Sequence, residues 1–294
     1  MIDYKYTQEL PFSSPPRRVV SLVPSTTESL IELGLGDRLV GRTDYCVYPV
    51  GKVEHVPSVG GTKNPNIDLI RALSPDLVIM NHEENRREDA DALRDAGIVV
   101  WATFPQTVRE AFNLLWTMMY AFESPAQSES IRQIERLCDL LELIEPAQPC
   151  RVFVPIWHDP LMTFNSDTFA HDLLRICGGT NVFAERERRY PLAADLGAAV
   201  PLSADDPRAA GRDIRYPRVT LDEVEAAQPD VILLPSEPFL FTESHRAIFA
   251  PLDVPAAHND RIVLVDGSLL TWHGTRLARA LLTIPNLLCA TDGE

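Results

Sequence analysis

The chain has 294 residues, 45% of them hydrophobic and 23% charged, the proportions of an ordinary globular protein with enough length for one large core or two medium ones. A formal net charge of −15 argues against nucleic acid or anionic membrane as the main partner. No run reaches the roughly 18 apolar residues of a membrane span, so the chain is read as not membrane-spanning. The five cysteines (Cys46, Cys138, Cys150, Cys177, Cys289) lack the C-x-x-C spacing of a structural zinc site and are odd in number for a disulfide framework. Met1-Ile2-Asp3-Tyr4-Lys5 has no basic region followed by an apolar core. The expectation is therefore a removed signal or a cytoplasmic protein that starts at Met1.

Val19 to Val23 is an apolar, β-branched run and reads as a buried strand. Pro24 ends it, and Ser25 with Glu28 reads as a capping box at the start of a helix that Gly34 and Gly36 close. Leu39-Val40-Gly41 is the next strand, and a strand–helix–strand unit this short implies parallel neighbours. Helices and strands then alternate: helix 67–73, strand 77–80, helix 85–95, strand 98–102, helix 107–121. Ser124-Pro125-Ala126-Gln127 is a second start signal. Ile131, Ile134, Leu137, Cys138, Leu141 and Ile144 then repeat at three- and four-residue steps, which predicts a helix to about Ile144. A second unit opens with strand 151–156, helix 167–177 and Asn181-Val182-Phe183. It is interrupted by a Pro-, Ala- and charge-rich stretch at 184–218, expected to be a long unstructured connection, and closes with a helix at about 275–289.

The second unit repeats the first. Pro75-Asp76-Leu77-Val78-Ile79 recurs 154 residues later as Pro229-Asp230-Val231-Ile232-Leu233, each after a helical stretch. Arg18-Val19-Val20 recurs as Arg151-Val152-Phe153, and Gly97-Ile98-Val99-Val100 as Arg261-Ile262-Val263-Leu264. The expected fold class is α/β: two similar lobes with mostly parallel sheets, at 1–121 and 148–294, joined by one long helix within 122–147. The strand-end loops of the two lobes are expected to face a common cleft.

Polar and aromatic residues collect at these predicted strand ends. The first lobe offers Ser25, Thr26, Tyr45, Cys46, Tyr48, Lys63, Asn64, His82, Glu83, Glu84, Asn85 and Arg86, and the second Trp157, His158, Asn165, Trp272 and His273. Aromatic walls with a few polar groups suit a sizeable organic ligand. Cys46, His82 and His158 are the candidates to reach a metal. Asp68 and Asp222 sit one repeat apart in the first turns of equivalent helices, where they either compensate the helix dipole or form a pair of acidic docking points. No P-loop, G-x-S-x-G or H-E-x-x-H motif is present.

Arg18-Val19-Val20-Ser21-Leu22-Val23-Pro24-Ser25-Thr26-Thr27-Glu28, Val59-Gly60-Gly61, Pro75-Asp76-Leu77-Val78-Ile79 and Cys177-Gly178-Gly179-Thr180-Asn181-Val182-Phe183 resemble the helical-backbone metal-receptor family. These are the substrate-binding proteins of bacterial ABC importers for cobalamin, iron-siderophore and haem. The resemblance spans about residues 17–290. It implies two lobes on one long helix, a metal chelate held between them, an extracytoplasmic location and no catalytic cofactor. It also implies that Asp68 and Asp222 stand where cobalamin-binding members carry glutamates that meet permease arginines. Val59-Gly60-Gly61-Thr62 replaces a cleft tryptophan of the cobalamin binder.

The resulting expectation is a non-enzymatic, monomeric receptor for a cobalt- or iron-containing chelate, corrinoid-like first, with an ABC permease as partner. The alternatives are iron-siderophore or haem binding, a cytoplasmic carrier or sensor of such a ligand, and, from a different class, a thiol-dependent enzyme at Cys46.

Overall fold

The computed structural model describes residues 10–124, 128–144, 149–203 and 205–288. The elements, in chain order, are β1 (Val19–Ser21), α1 (Pro24–Glu32), β2 (Leu39–Arg42), α2 (Ile67–Ala72), β3 (Leu77–Asn81), α3 (Arg87–Asp95), β4 (Val100–Thr103), α4 (Val108–Ala121) and α5 (Ser128–Glu142). There follow β5 (Cys150–Phe153), α6 (Phe169–Ile176), β6 (Gly179–Asn181), α7 (Leu192–Asp195), α8 (Leu221–Ala227), β7 (Val231–Pro235), α9 (Glu243–Phe249), α10 (Pro255–His258), β8 (Ile262–Val265), α11 (Ser268–Thr271) and α12 (Leu277–Leu288). No helix among the described residues is long and apolar enough to cross a membrane.

The strands form two four-stranded parallel sheets of the same topology, β2-β1-β3-β4 and β6-β5-β7-β8. Val20, Leu22, Val78, Met80 and Val100 centre the first core; Phe153, Ile232, Leu234, Phe249 and Ile262 centre the second. Burial on both faces explains why β3, up to Met80, and β7 are unbroken apolar runs.

The repeated Pro-Asp signal is one joint built twice. Asp76 accepts from the backbone N–H groups of Arg17 and Arg18 at 2.8 and 3.0 Å, and its own N–H donates to the Arg18 carbonyl. The Arg18 guanidinium reaches back to the carbonyls of Leu73 and Ser74, just past α2. In the second sheet Asp230 accepts from the Arg151 N–H at 2.9 Å, and Arg151 reaches the carbonyls of Ala227 and Gln228, at the end of α8. Ser74 and Gln228 both take left-handed backbone, with φ of 48° and 45°. The arginine thus satisfies helix-end carbonyls that have no intrahelical donor.

The chain divides into two compact units, Met1–Arg136 with Trp272–Ala278, and Leu137–Thr271 with Arg279–Glu294. Three expectations change. The division falls inside α5, which the described residues show over Ser128–Glu142; residues 125–127 of its predicted start lie outside them. That helix is also not the only passage between the units, because the segment Trp272–Ala278 leaves the second unit, belongs to the first and returns. Finally, 184–218 is not an unstructured connection. It contains α7, whose buried Asp195 accepts from the N–H groups of Arg189 and Arg218 at 2.6 and 3.1 Å and from the Arg186 guanidinium at 3.3 Å; Arg186 also reaches Glu223 on α8.

Candidate functional site

Parallel sheets gather loops at the carboxyl ends of their strands, and a ligand crevice is expected where the strand order reverses. In the first unit that point lies between β1 and β3. It is occupied by the chain itself. His273 is buried between Ser25, whose Oγ lies 3.4 Å from Nδ1, and Asn81, whose Nδ2 lies 3.3 Å from Nε2. Asn81 Oδ1 accepts from the Glu83 N–H at 2.8 Å, which leaves its amide nitrogen to donate to Nε2. The imidazole proton is therefore on Nδ1, and burial pushes the pKa of His273 down to about 4.

Its neighbours complete a strap across α1. Ser29 Oγ donates to the Ser25 carbonyl and accepts from the Thr275 N–H at 3.1 Å. Gly274 has φ of +98°, and a Cβ there would fall 2.2 Å from Ser29 Oγ. Arg276, 2% exposed, forms a two-pronged pair with Glu28: Nε to Oε2 at 2.9 Å and Nη2 to Oε1 at 2.8 Å. Its guanidinium carbon lies 4.3 Å from the Tyr48 ring centre and 5.0 Å from that of Trp272. The predicted capping box is corrected here. With Pro24 at the first helical position and Val23 as cap, Ser25 and Glu28 lie inside α1, and Glu28 turns to Arg276.

Several expected ligand residues are thus structural. Ser25, Thr26, Cys46, Asn85, Asn165, Trp272 and His273 are buried. Cys46 Sγ lies 3.1 Å from the hydroxyls of Thr27 and Thr43; burial pushes its thiol pKa up, with those hydrogen bonds opposing. A buried thiol with a raised pKa is neither a nucleophile nor an open metal ligand. Asn85 donates to the carbonyls of Leu22 and Thr62 and accepts from the Asn81 N–H, and so helix 85–95 begins only at Arg87. Asn165 accepts from the Asp167 N–H in a turn.

Other expected residues of the first unit do share the carboxyl edge of its sheet. Tyr45 is 62% exposed, Tyr48 and Glu84 are half-buried, and Lys63, Asn64, His82, Glu83 and Arg86 are exposed. Lys63 Nζ donates to the Glu83 carbonyl, and the His82 ring stands 5.6 Å from Phe104. In the second unit the order reverses between β5 and β7, and there the edge is aromatic. Trp157, 43% exposed, meets Phe239 edge-on at 5.5 Å; His158 lies 5.8 Å from Phe239 and 5.1 Å from His245.

Phe241 and His245 escaped the sequence reading. Thr242 preceding a short polar helix was the available signal, since His245 Nδ1 accepts from the Thr242 N–H at 3.0 Å as part of a capping box. That bond puts the neutral imidazole proton on Nε2, so His245 offers a donor there rather than a lone pair. Among the described residues no group of three His, Cys, Asp or Glu side chains is placed to hold a metal ion. Asp68 and Asp222 both lie exposed in the first turns of α2 and α8.

Residues 19–237 match the family model of periplasmic binding proteins. The chain belongs to the periplasmic binding protein family. This periplasmic binding protein is 26% identical over 250 residues to the Vitamin B12-binding protein of Vibrio cholerae serotype O1, covering 84% of this chain and 80% of that one. To the Vitamin B12-binding protein of Yersinia pestis it is 33% identical over 180 residues, 59% of this chain and 62% of that one. Its fold is that of the periplasmic vitamin B12 binding protein BtuF of Vibrio cholerae, with a TM-score of 0.68, 23% identity and coverage of 94% and 98%. The periplasmic heme-binding protein RhuT of Roseiflexus sp. RS-1 shares the fold at a TM-score of 0.69, 22% identity and the same coverage. It is a binding protein and not an enzyme, and the thiol-enzyme alternative falls with the burial of Cys46.

Proposed function

We propose that this periplasmic binding protein delivers a metal chelate of the corrinoid type to an ABC importer outside the cytoplasm. The observation that carries the reading is its similarity, over 84% of its length, to a Vitamin B12-binding protein. The chemistry of the strand-end loops supports it. Within each unit the strand-end loops carry groups that suit a macrocycle: ring surface from Tyr45 and Tyr48 with polar contacts from Lys63, Asn64, Glu84 and Arg86 in the first, and ring surface from Trp157 and Phe239 in the second. His82 and His158 are the imidazoles proposed to reach a chelated metal, and the burial of Cys46 weighs against it in that role. The exposed pair Asp68 and Asp222 is the proposed contact with the permease. Haem or a ferric siderophore is the second reading, supported by the exposed imidazole of His82 beside Phe104, a pairing suited to an iron centre with an open axial position.

Titration of the purified full chain with cyanocobalamin, hemin and a ferric siderophore, followed by tryptophan emission, tests the proposal. Quenching by cyanocobalamin with micromolar or tighter affinity is expected, weakened at least tenfold by Trp157→Ala, the partly exposed indole. Quenching by hemin alone would move the assignment to haem. No response to any of the three would overturn the chelate reading.

A further inference from the structure

The Arg276 guanidinium is held by a carboxylate from α1 and two rings, one from the strap and one from the loop after β2. Tyr48 and Trp272 meet edge-on at 5.8 Å, and of the buried Arg276 nitrogens only Nε makes a hydrogen bond, to Glu28; Nη2 meets Glu28 Oε1 as an ion-pair contact at 2.8 Å, and Nη1 and Nη2 have no hydrogen-bond partner. A buried guanidinium–carboxylate pair is by itself weak evidence of stabilisation. Replacing such a pair by well-packed apolar groups is often neutral or stabilising, and what a buried pair supplies instead is a fixed geometry. The planar guanidinium can donate to a carboxylate along one edge while its faces meet aromatic rings, which a lysine ammonium cannot reproduce.

Of the groups that Arg276 fixes, Tyr48 alone is both half-buried and in a strand-end loop of the candidate site; Glu28 and Trp272 are buried. The neighbouring Tyr45, Val47 and Val50 are exposed, and of residues 45–50 only Cys46 is buried, so little of the loop's own packing sets the ring. We propose that Arg276 is a positioning residue for ligand binding: anchored by Glu28 and backed by Trp272, it fixes the ring of Tyr48 for contact with the ligand. The inference rests on the chelate-binding reading for the role of Tyr48, and on the contacts within the first unit for the role of Arg276.

Two measurements on the full chain test it. The first is amide hydrogen exchange over residues 44–50. Arg276→Lys, which keeps a cation for Glu28 but loses the stacked plane, should speed exchange there at least tenfold and leave β3 and α4 unchanged. Unchanged exchange in 44–50 overturns the proposal whether or not any probe binds. The second is a double-mutant cycle on cyanocobalamin affinity. Tyr48→Ala and Arg276→Lys should each weaken binding at least fivefold, and Arg276→Lys should add less than twofold in the Tyr48→Ala background. Additive losses, or full affinity in Arg276→Lys, overturn it. Should Arg276→Lys not fold, Glu28→Gln takes its place with the same expected coupling to Tyr48. Absence of cyanocobalamin and hemin binding in the unaltered chain would sink the chelate reading instead, and the exchange measurement would still decide the positioning.

Discussion

His273 shows how far one residue's chemistry depends on where its neighbours spend their hydrogen bonds. Asn81 has committed its carbonyl oxygen to the turn at Glu83, so it can only donate to the imidazole, and that donation is incompatible with a proton on Nε2. Burial then lowers the folded-state pKa to about 4, against an ordinary value of about 6.5. The sign follows from proton counts: between these values the unfolded chain binds more protons than the folded one, so stability is complete above about pH 6.5 and falls as pH drops through 4. The full effect is about 3 kcal/mol. Urea unfolding at intervals from pH 7 to 4 should show the folded state weakening over this range. His273→Gln should be less stable at pH 7 yet show a shallower decline. An equally steep decline in that variant would assign the acid sensitivity to other groups. The strap histidine looked like a ligand in the sequence because Trp272-His273-Gly274 follows a strand, and local pattern carries no information about a partner on α1.

At the scale of elements, the repeat was legible because each half of the joint is a short motif, an arginine at the head of one strand and Pro-Asp at the head of another, although the bonds that join the halves span 58 residues in one copy and 79 in the other. A proline that ends one helix, an aspartate that ties down the preceding strand and an arginine that satisfies helix-end carbonyls together need fewer than a dozen residue types in fixed order, and both copies keep them. The two joints make a prediction of their own. Asp76→Ala and Asp230→Ala should each cost about 1 kcal/mol, the net worth of such hydrogen bonds at a partly exposed site, measured as a shift of the urea midpoint with unchanged slope. A loss in one copy and none in the other would show that the joints are not equivalent. Pairings across long sequence separations were not legible. Ser25 and Glu28 carry the spacing of a capping box, and only the structure shows that Glu28 answers to Arg276, 248 positions away. In 184–218 the contacts are closer in sequence but equally hidden by composition, which suggested an unstructured link where Asp195 gathers Arg186, Arg189 and Arg218.

For the whole molecule the remaining question is electrostatic, since a chain of net charge −15 presents many carboxylates and only some can be specific contacts. Asp68 has a 93% exposed side chain, and its pairing with Arg71 at 3.5 Å is a surface i,i+3 contact of small energy. Asp222 is exposed in the first turn of α8, next to a capping box made by Thr220 and Glu223 that already satisfies the helix start. Neither aspartate is therefore required by its own helix, and the duplicated fold sets one on each sheet's equivalent helix. On the proposed function, these two carboxylates are the contacts for basic groups of an ABC importer. Reversing both charges, in Asp68→Lys/Asp222→Lys, should leave cyanocobalamin affinity within twofold and the melting temperature nearly unchanged, because neither side chain is buried. On the proposed function, delivery by an ABC importer should fall at least tenfold, and binding to that importer should lose much of its dependence on salt between 50 and 500 mM, as expected when a few exposed charges steer docking. Each single reversal should give an intermediate loss. Full delivery by the double variant would return both residues to the role of helix-dipole partners and move the docking surface elsewhere on this acidic chain.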